Sequence, residues 1–246
     1  MSERAPDQLR TLRIVPDFTD APLASVLMEA GDTRVLCTAS LEESVPRFRQ
    51  DSGGGWLTAE YGMLPGSSPY RIRRAASRGR PDGRSTEIQR LIGRSLRAAF
   101  DLDAMPELTL WIDCDVLQAD GGTRTASITG GYVAARLALE RLIAQGRADR
   151  RCLLDPVAAV SVGVVSGEPV LDLDYPLDSA AEVDMNVVVT GQGRFIEVQG
   201  TAEGAPFTRA ELDKILDAGW EALQKIFAMQ REALSQAGVA WQTVGA

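Results

Sequence analysis

The segment Gly121-Gly122-Thr123-Arg124 stands between a strand-like and a helix-like stretch. Glycines let a backbone turn sharply and approach a ligand closely, and the first turn of a helix presents unpaired amides at the positive end of its dipole. The threonine and the arginine add further donors. The segment is therefore predicted to bind an anion. Its spacing matches neither a Walker loop nor a dinucleotide fingerprint, so a structural strand-to-helix turn is the alternative.

Arg84 is a second candidate for binding an anion, because it lies where an arginine-rich segment meets the start of a predicted helix. A guanidinium can hold a phosphate through two parallel hydrogen bonds, and a helix start is a favourable place for negative charge. We therefore expect Arg84 to contribute to the same kind of site.

Acidic residues cluster between Asp178 and Asp184, before and within a strand-like run. Asp184 and Glu182 share one face of that strand by parity. Clustered carboxylates can hold a hard metal ion or donate a proton. The alternative is a solvated polar strand face.

The chain contains no histidine. This excludes serine–histidine and cysteine–histidine nucleophile pairs, histidine-ligated zinc, and RNA cleavage by two histidines. Any enzyme activity must therefore come from carboxylates, arginines, backbone amides, hydroxyls or a hard metal ion.

The net charge of −8 over 246 residues is unevenly distributed. Between positions 71 and 97, nine arginines stand against two acids, a local charge of +7 that leaves −15 for the rest of the chain. Such a patch can attract a polyanion even when the whole protein is acidic. A solvated loop followed by a helix face that forms ion pairs or a subunit contact is the alternative.

Composition and length predict a globular protein with one large domain or two fused lobes, since 45% of the residues are apolar and 24% are charged. Apolar stretches fall short of the roughly 20 residues that a membrane span needs, and residues 1–20 contain no signal-peptide segment. We therefore expect a cytoplasmic protein without a membrane partner. The three cysteines, Cys37, Cys114 and Cys152, are expected to be buried free thiols.

Hydrophobic periodicity predicts eight strands and three helices, with a loop-like segment at 43–70 that is interrupted at 56–61 and an arginine-rich loop at 71–84. One helix follows Thr86 and Gln89 as a capping box, the second spans about 125–144, and the third runs from the capping box of Thr208 and Glu211 to about 236. The strands are expected at 12–18, 25–29, 33–41, 108–118, 157–165, 169–174, 183–190 and 194–199. This order indicates an α+β chain whose two lobes meet near residues 146–156.

Six blocks of sequence resemble the ribonuclease PH family, and together they reach nearly from one end of the chain to the other. They are residues 5–10, 31–40, 55–65, 87–97, 113–127 and 178–188. The resemblance implies a fold similar to the second domain of ribosomal protein S5. It further implies a ribonuclease PH subunit over residues 1–246, with an N-terminal lobe at 11–145 and a C-terminal lobe at 156–237. The implied assembly is a homohexamer built as a trimer of dimers.

The activity that the resemblance implies is phosphorolytic 3′→5′ trimming of single-stranded 3′ ends of tRNA precursors, with inorganic phosphate as co-substrate and Mg²⁺ as cofactor. Arg84, Gly122, Thr123 and Arg124 would bind the phosphate. Asp178 and Asp184 would be catalytic acids or Mg²⁺ ligands. The arginines that would bind RNA are Arg71, Arg73, Arg74, Arg78, Arg80, Arg90 and Arg97.

Two other functions are kept beside this hypothesis. The first is a catalytically inactive RNA-binding ring subunit of the same fold; such subunits tend to lose the phosphate-site arginine or the acidic pair, which this chain retains. The second is an acidic metabolic enzyme that binds a small phosphoester.

Overall fold

The alternating apolar residues of the first half of the chain form a five-stranded sheet. In the computed structural model, which describes residues 4–74 and 82–241, its strands are β1 (Leu12–Pro16), β2 (Ala24–Ala30), β3 (Thr33–Glu42), β4 (Trp56–Met63) and β5 (Thr109–Gln118). The strand order is β1-β2-β3-β5-β4, antiparallel except for the parallel pair β4 and β5. Leu110, Ile112, Cys114 and Val116 are buried on one face of β5, as their alternation predicts.

A second, four-stranded antiparallel sheet follows in the other half. Its strands are β6 (Val157–Val165), β7 (Glu168–Leu171), β8 (Val183–Thr190) and β9 (Phe195–Ala202), in the order β7-β6-β8-β9. Val183, Met185 and Val187 of β8 are buried, so Asp184 is on the opposite face, as parity predicts.

Four helices pack on these sheets: α1 (Gly83–Arg97), α2 (Thr123–Ala144), α3 (Tyr175–Ala180) and α4 (Arg209–Gln236). The central helix α2 contacts β2 and β3 of the first sheet and β6 of the second. Seventeen of its 22 residues are buried, which is typical of a helix that is covered on all sides. A Cβ atom on Gly130 would lie 2.8 Å from the Met28 Cβ atom, so the close approach of α2 to β2 requires a glycine there.

The predicted fold class is confirmed, because the chain has two sheets joined by helices. All three cysteines are buried and free, as expected. The capping box Thr208–Glu211 is present at the start of α4. Within residues 4–74 and 82–241, none of the helices combines the length and apolar character needed to span a bilayer.

Besides shifts of one to three residues at the ends of several strands, four details of the prediction were wrong. Helix α1 begins at Gly83 rather than after Thr86, because the Asp82 carboxylate caps it by accepting from the Ser85 amide at 2.7 Å. Residues 56–63 form a full strand, β4, because β5 offers a parallel partner along its whole length. Helix α2 starts two residues earlier than predicted, at Thr123. The short helix α3 was not predicted at all.

A buried ion pair joins the N-terminal segment to the second sheet. The side chains of Arg10 and Asp172 are each 7% exposed, and the Asp172 carboxylate accepts from Arg10 Nη2 at 2.6 Å, from Arg10 Nε at 3.0 Å and from the Arg10 amide at 2.9 Å. Arg10 also donates to the Asp120 carbonyl, directly before the Gly121-Gly122 turn. Both charges are thus balanced by a partner inside the protein.

The substitution Asp172→Asn is expected to reduce the free energy of unfolding by about 3 to 5 kcal/mol, because it leaves the Arg10 guanidinium buried without a counter-charge. For a chain of this size the melting temperature should fall by roughly 6 to 20 °C. Thermal and denaturant unfolding measure both quantities. The control Asp213→Asn removes an exposed partner of Arg209 and should change stability by less than about 1 kcal/mol. Equal effects of the two substitutions would contradict a special role of the buried pair.

Candidate functional site

A cavity of about 600 Å³ is lined by residues from both sheets. The six residues predicted from the sequence to bind phosphate or to act in catalysis all line it. They are Arg84, Gly122, Thr123, Arg124, Asp178 and Asp184. They come from α1, from the turn and first helical residues after β5, from α3 and from β8. Residues nearly 100 positions apart in sequence therefore share one cavity.

The glycine turn at the floor of this cavity needs both of its glycines. Gly121 and Gly122 have φ values of +72° and +63°, in the left-handed region that side chains disfavour. A Cβ atom on Gly121 would lie 2.4 Å from the Leu173 carbonyl oxygen. The Thr33 hydroxyl donates to the Gly121 carbonyl at 2.7 Å and accepts from the Asp120 amide at 2.9 Å. The Thr33 side chain thus stabilises the turn through two hydrogen bonds. Gly122 is the N-cap residue of α2, whose first amides carry the positive end of the helix dipole.

The two arginines of the cavity are held differently. Arg124, in the first turn of α2, donates from Nη1 to Gln199 Oε1 at 2.6 Å, and the same nitrogen lies 3.6 Å from Glu87 Oε2. Gln199 Nε2 in turn donates to Glu87 Oε1 at 3.2 Å. Arg84 is exposed in the first turn of α1 and has no hydrogen-bond or ion-pair partner among the described residues. Arg124 is thus fixed in place, and Arg84 is available to a ligand.

Partial burial raises the pKa of both carboxyl groups in the cavity. For Asp184, burial and the charge of Asp178 raise the pKa, and Arg124 and Arg84 oppose that shift only in part. For Asp178, burial raises the pKa although its side chain is exposed at the rim, and the same two arginines oppose the shift. The negative charge of Asp178 thus makes ionisation of Asp184 less favourable. Asp184 is the less exposed of the two and has the additional repulsion from Asp178.

Helix α3 places Asp178 at the rim of the cavity. Its N-cap residue Asp174 accepts from the Leu177 amide at 3.0 Å, and the Tyr175 amide donates to Asp120 Oδ1 at 3.2 Å. Asp120 directly precedes the glycine turn, so its bond to Tyr175 connects α3 to that turn. The carbonyl of Asp120 also accepts from Arg10. Among the described residues, no group of three or more cysteine, aspartate or glutamate side chains could hold a metal ion.

The arginines predicted to bind RNA do not lie in one place. Arg73 and Arg74 line a neighbouring cavity of about 670 Å³, which Arg84 also lines. Arg90 and Arg97 line a separate hollow of about 320 Å³ on α1, and Arg97 donates to the Leu57 carbonyl at 3.2 Å with its guanidinium 4.8 Å from the Trp56 ring centre. Arg71 is exposed. The remaining two, Arg78 and Arg80, lie outside the described residues.

Sequence reasoning missed four residues that hold the site together: Tyr61, Glu87, Asp120 and Gln199. Tyr61 donates to or accepts from the Thr123 hydroxyl at 2.9 Å. The alternation of β4 indicates that Tyr61 is buried, but no sequence signal identifies its partner. Only the folded structure shows that Tyr61 contacts Thr123.

Comparison with known proteins was consistent across sequence and structure. The family models for the 3′ exoribonuclease family match residues 8–139 (domain 1) and 155–222 (domain 2). A protein of Syntrophomonas wolfei named ribonuclease PH is 57% identical over 231 residues, which cover 94% of this chain and 97% of the relative.

Solved structures share the fold at much lower sequence identity. The crystal structure of rice (Oryza sativa) Rrp46 has a TM-score of 0.77 and 18% identity, covering 95% of this chain and 98% of that one. A chain of the Archaeoglobus fulgidus exosome with RNA bound to the active site has a TM-score of 0.74 and 20% identity, with coverage of 92% and 90%. Both family models and the relative at 57% identity show that this chain belongs to the 3′ exoribonuclease family of ribonuclease PH.

Proposed function

We propose that this chain is a phosphorolytic 3′→5′ exoribonuclease that trims tRNA precursors and releases nucleoside diphosphates. The observation that carries the proposal is the convergence of Arg84, the Gly122–Arg124 helix start and the Asp178–Asp184 pair on one cavity. This arrangement would place an attacking anion beside a carboxyl group that can hold a proton. The family membership and the relative at 57% identity support the same activity.

Inorganic phosphate would bind between Arg84 and the start of α2. The amides of the first helical turn, the Thr123 hydroxyl and two guanidinium groups supply donors and positive charge. Because the substrate phosphodiester is also an anion, neutralising the repulsion between the two is the main demand on the site. The positive charges of Arg84 and Arg124 would reduce this repulsion.

In the reaction, an oxygen of inorganic phosphate forms a bond to the phosphorus of the last phosphodiester, and the bond from that phosphorus to the 3′ oxygen of the preceding nucleotide breaks. The 3′ oxygen takes up a proton, leaving a shortened RNA with a 3′ hydroxyl and a free nucleoside diphosphate. Phosphate is already a nucleophile, so no histidine base is needed. We assign the proton to Asp184, whose raised pKa keeps it protonated to a higher pH than an ordinary aspartate.

Mg²⁺ fits the same pair of carboxylates. This ion usually binds one or two protein carboxylates together with substrate phosphates and water, so Asp178 and Asp184 form a sufficient protein donor set. When bound, it would supply positive charge to the phosphate oxygens. Both carboxylates must be ionised to hold it, so the ion and the proton compete for Asp184.

The RNA would reach the site past the arginine-rich segment. Arg73 and Arg74 line a cavity that shares Arg84 with the catalytic one, and these arginines would contact the phosphates of the incoming RNA. Four acidic residues line the same cavity: Glu60, Asp82, Asp113 and Asp115. We assign Arg71, Arg78, Arg80, Arg90 and Arg97 to RNA binding by the same charge argument.

Assembly into a homohexamer is part of the proposal. Strand β9 is an edge strand with two exposed apolar side chains, Phe195 at 54% and Val198 at 43% exposure. Exposed apolar side chains on an edge strand suit a subunit contact.

We also propose the cytoplasm as the place of action, where thiols such as those of Cys37 and Cys114 remain reduced.

The main test is incubation of the protein with a 3′-extended tRNA and Mg²⁺, with and without inorganic phosphate, followed by chromatography of the products. Nucleoside diphosphates are expected, and only when phosphate is present. Monophosphates released independently of phosphate would show hydrolysis instead. Binding of the RNA without any shortening would favour the inactive ring subunit.

The substitution Arg84→Ala should raise the phosphate KM by about 10- to 100-fold, because a charge-assisted hydrogen-bond pair contributes roughly 1.5 to 3 kcal/mol. Initial rates over a range of phosphate concentrations measure this. The control Arg209→Ala removes an exposed arginine of α4 outside the cavity and should leave the phosphate KM unchanged. An unaltered phosphate dependence in Arg84→Ala would remove Arg84 from the site.

The substitution Asp184→Asn should reduce turnover by at least about 100-fold, since general acid–base groups contribute this much or more, while RNA remains bound.

The substitution Asp184→Asn should also raise the melting temperature near pH 7. The raised pKa means that ionised Asp184 destabilises the folded state, so its contribution is lost as pH rises and the asparagine avoids that loss. The gain in melting temperature should vanish below about pH 4, where the Asp184 carboxyl group is protonated in both the folded and the unfolded protein. The exposed Asp217→Asn is the control, and near-normal turnover in Asp184→Asn would contradict both roles.

A further inference from the structure

A buried pair of hydroxyl groups connects β4 to the phosphate end of α2. Tyr61 is 4% exposed and Thr123 is 9% exposed. The Tyr61 Oη atom lies 2.9 Å from Thr123 Oγ1, a distance at which either oxygen could donate. Thr123 lines the catalytic cavity, whereas Tyr61 stands behind it and lines the neighbouring one.

The surroundings of Tyr61 decide which oxygen donates. Burial raises the pKa of the phenol, and the hydrogen bond to Thr123 and the charges of Arg84 and Arg124 oppose that shift only in part. The phenol is therefore protonated, and a buried O–H group needs an acceptor. Thr123 Oγ1 is the one hydrogen-bond partner of Tyr61 Oη in the described part of the chain. If Thr123 donated instead, the buried proton of Tyr61 would be left without an acceptor, which is unfavourable.

The direction of this bond fixes what Thr123 offers to the cavity. When Tyr61 donates, one lone pair of the Thr123 oxygen is occupied and the threonine proton remains free. Among the described residues the Thr123 hydroxyl donates to no carbonyl or carboxylate. An anion in the cavity needs donors, and this proton is one that it can use.

We propose that Tyr61 is a positioning residue for inorganic phosphate: it orients the Thr123 hydroxyl so that this hydroxyl donates to the bound anion. The inference rests on the proposed function, because it assumes that phosphate binds at Thr123. Tyr61 itself does not touch the ligand. It acts through its hydrogen bond to Thr123, which connects β4 to α2.

The substitution Tyr61→Phe should raise the phosphate KM about three- to tenfold, the loss expected for one uncharged hydrogen bond of roughly 0.5–1.5 kcal/mol. The kcat at saturating phosphate and the KM for RNA should stay unchanged. Initial rates over a phosphate series give all three values. The matched control Tyr132→Phe removes another buried tyrosine hydroxyl, in α2 but outside the cavity lining, and should leave the phosphate KM as it is.

A double-mutant cycle separates this role from a merely structural one. Thr123→Val should raise the phosphate KM, Thr123→Ser should preserve it, and Tyr61→Phe should add nothing in the Thr123→Val background. The inference is overturned if Tyr61→Phe lowers the melting temperature without changing the phosphate KM. It is also overturned if Tyr61→Phe has the same effect with valine at position 123, or if Thr123→Val has no effect.

Titration calorimetry with inorganic phosphate alone gives a readout without turnover, and the same order of affinities is expected among the variants. If the wild-type protein neither binds phosphate nor needs it for RNA shortening, the proposed function itself fails. If the wild type depends on phosphate and Tyr61→Phe behaves like it, only the inference about Tyr61 fails.

Discussion

The Asp172 carboxylate accepts three hydrogen bonds from Arg10, and the same arginine donates to the carbonyl of Asp120. Through this contact the second sheet, the N-terminal segment and the glycine turn are fixed relative to one another. Arg4 adds two bonds to the same place, from Nη1 to the Leu171 carbonyl at 2.9 Å and from Nη2 to the Asp172 carbonyl at 2.8 Å. Because an unpaired charge is costly in a buried position, the pair tolerates little displacement. The proposed phosphate site adjoins this contact, because Asp120 directly precedes the glycine turn.

The charged groups of the cavity are arginines and carboxyl groups, and none is a histidine. Arg84 and Arg124 concentrate positive charge around the start of α2, whereas partial burial raises the pKa of Asp178 and Asp184 and so makes their ionisation less favourable. The two tendencies oppose each other within one cavity, so the arginines remain charged while a carboxyl group can retain a proton. A reaction between two phosphate groups needs both conditions at once.

Much of the fold could be predicted because its signals are local. Strict alternation along β5 and the capping box of α4 each depend on a few neighbouring residues, and both are present. The start of α1 could not be predicted, because Asp82 and Thr86 are both good caps and only the folded chain selects between them. The six cavity residues were predicted from motifs, whereas the contacts of Tyr61, Gln199 and Glu87 are visible only in the folded chain. Gln199 lies 75 positions from Arg124, and no periodicity carries information over that separation.

Helix α2 explains why the anion end of the cavity is rigid. It is buried on nearly every side, so its first turn cannot shift without disturbing both sheets. The Thr123 hydroxyl is held by Tyr61 from β4 and the Arg124 guanidinium by Gln199 from β9, so each sheet fixes one donor. Arg84 and Asp178, in contrast, are exposed at the rim of the cavity. A donor set that is already in place binds an anion without further reorganisation, whereas the exposed rim can adapt to successive RNA ends. This division between held donors and exposed side chains suits the proposed exonuclease, which would repeat one reaction on successive RNA ends.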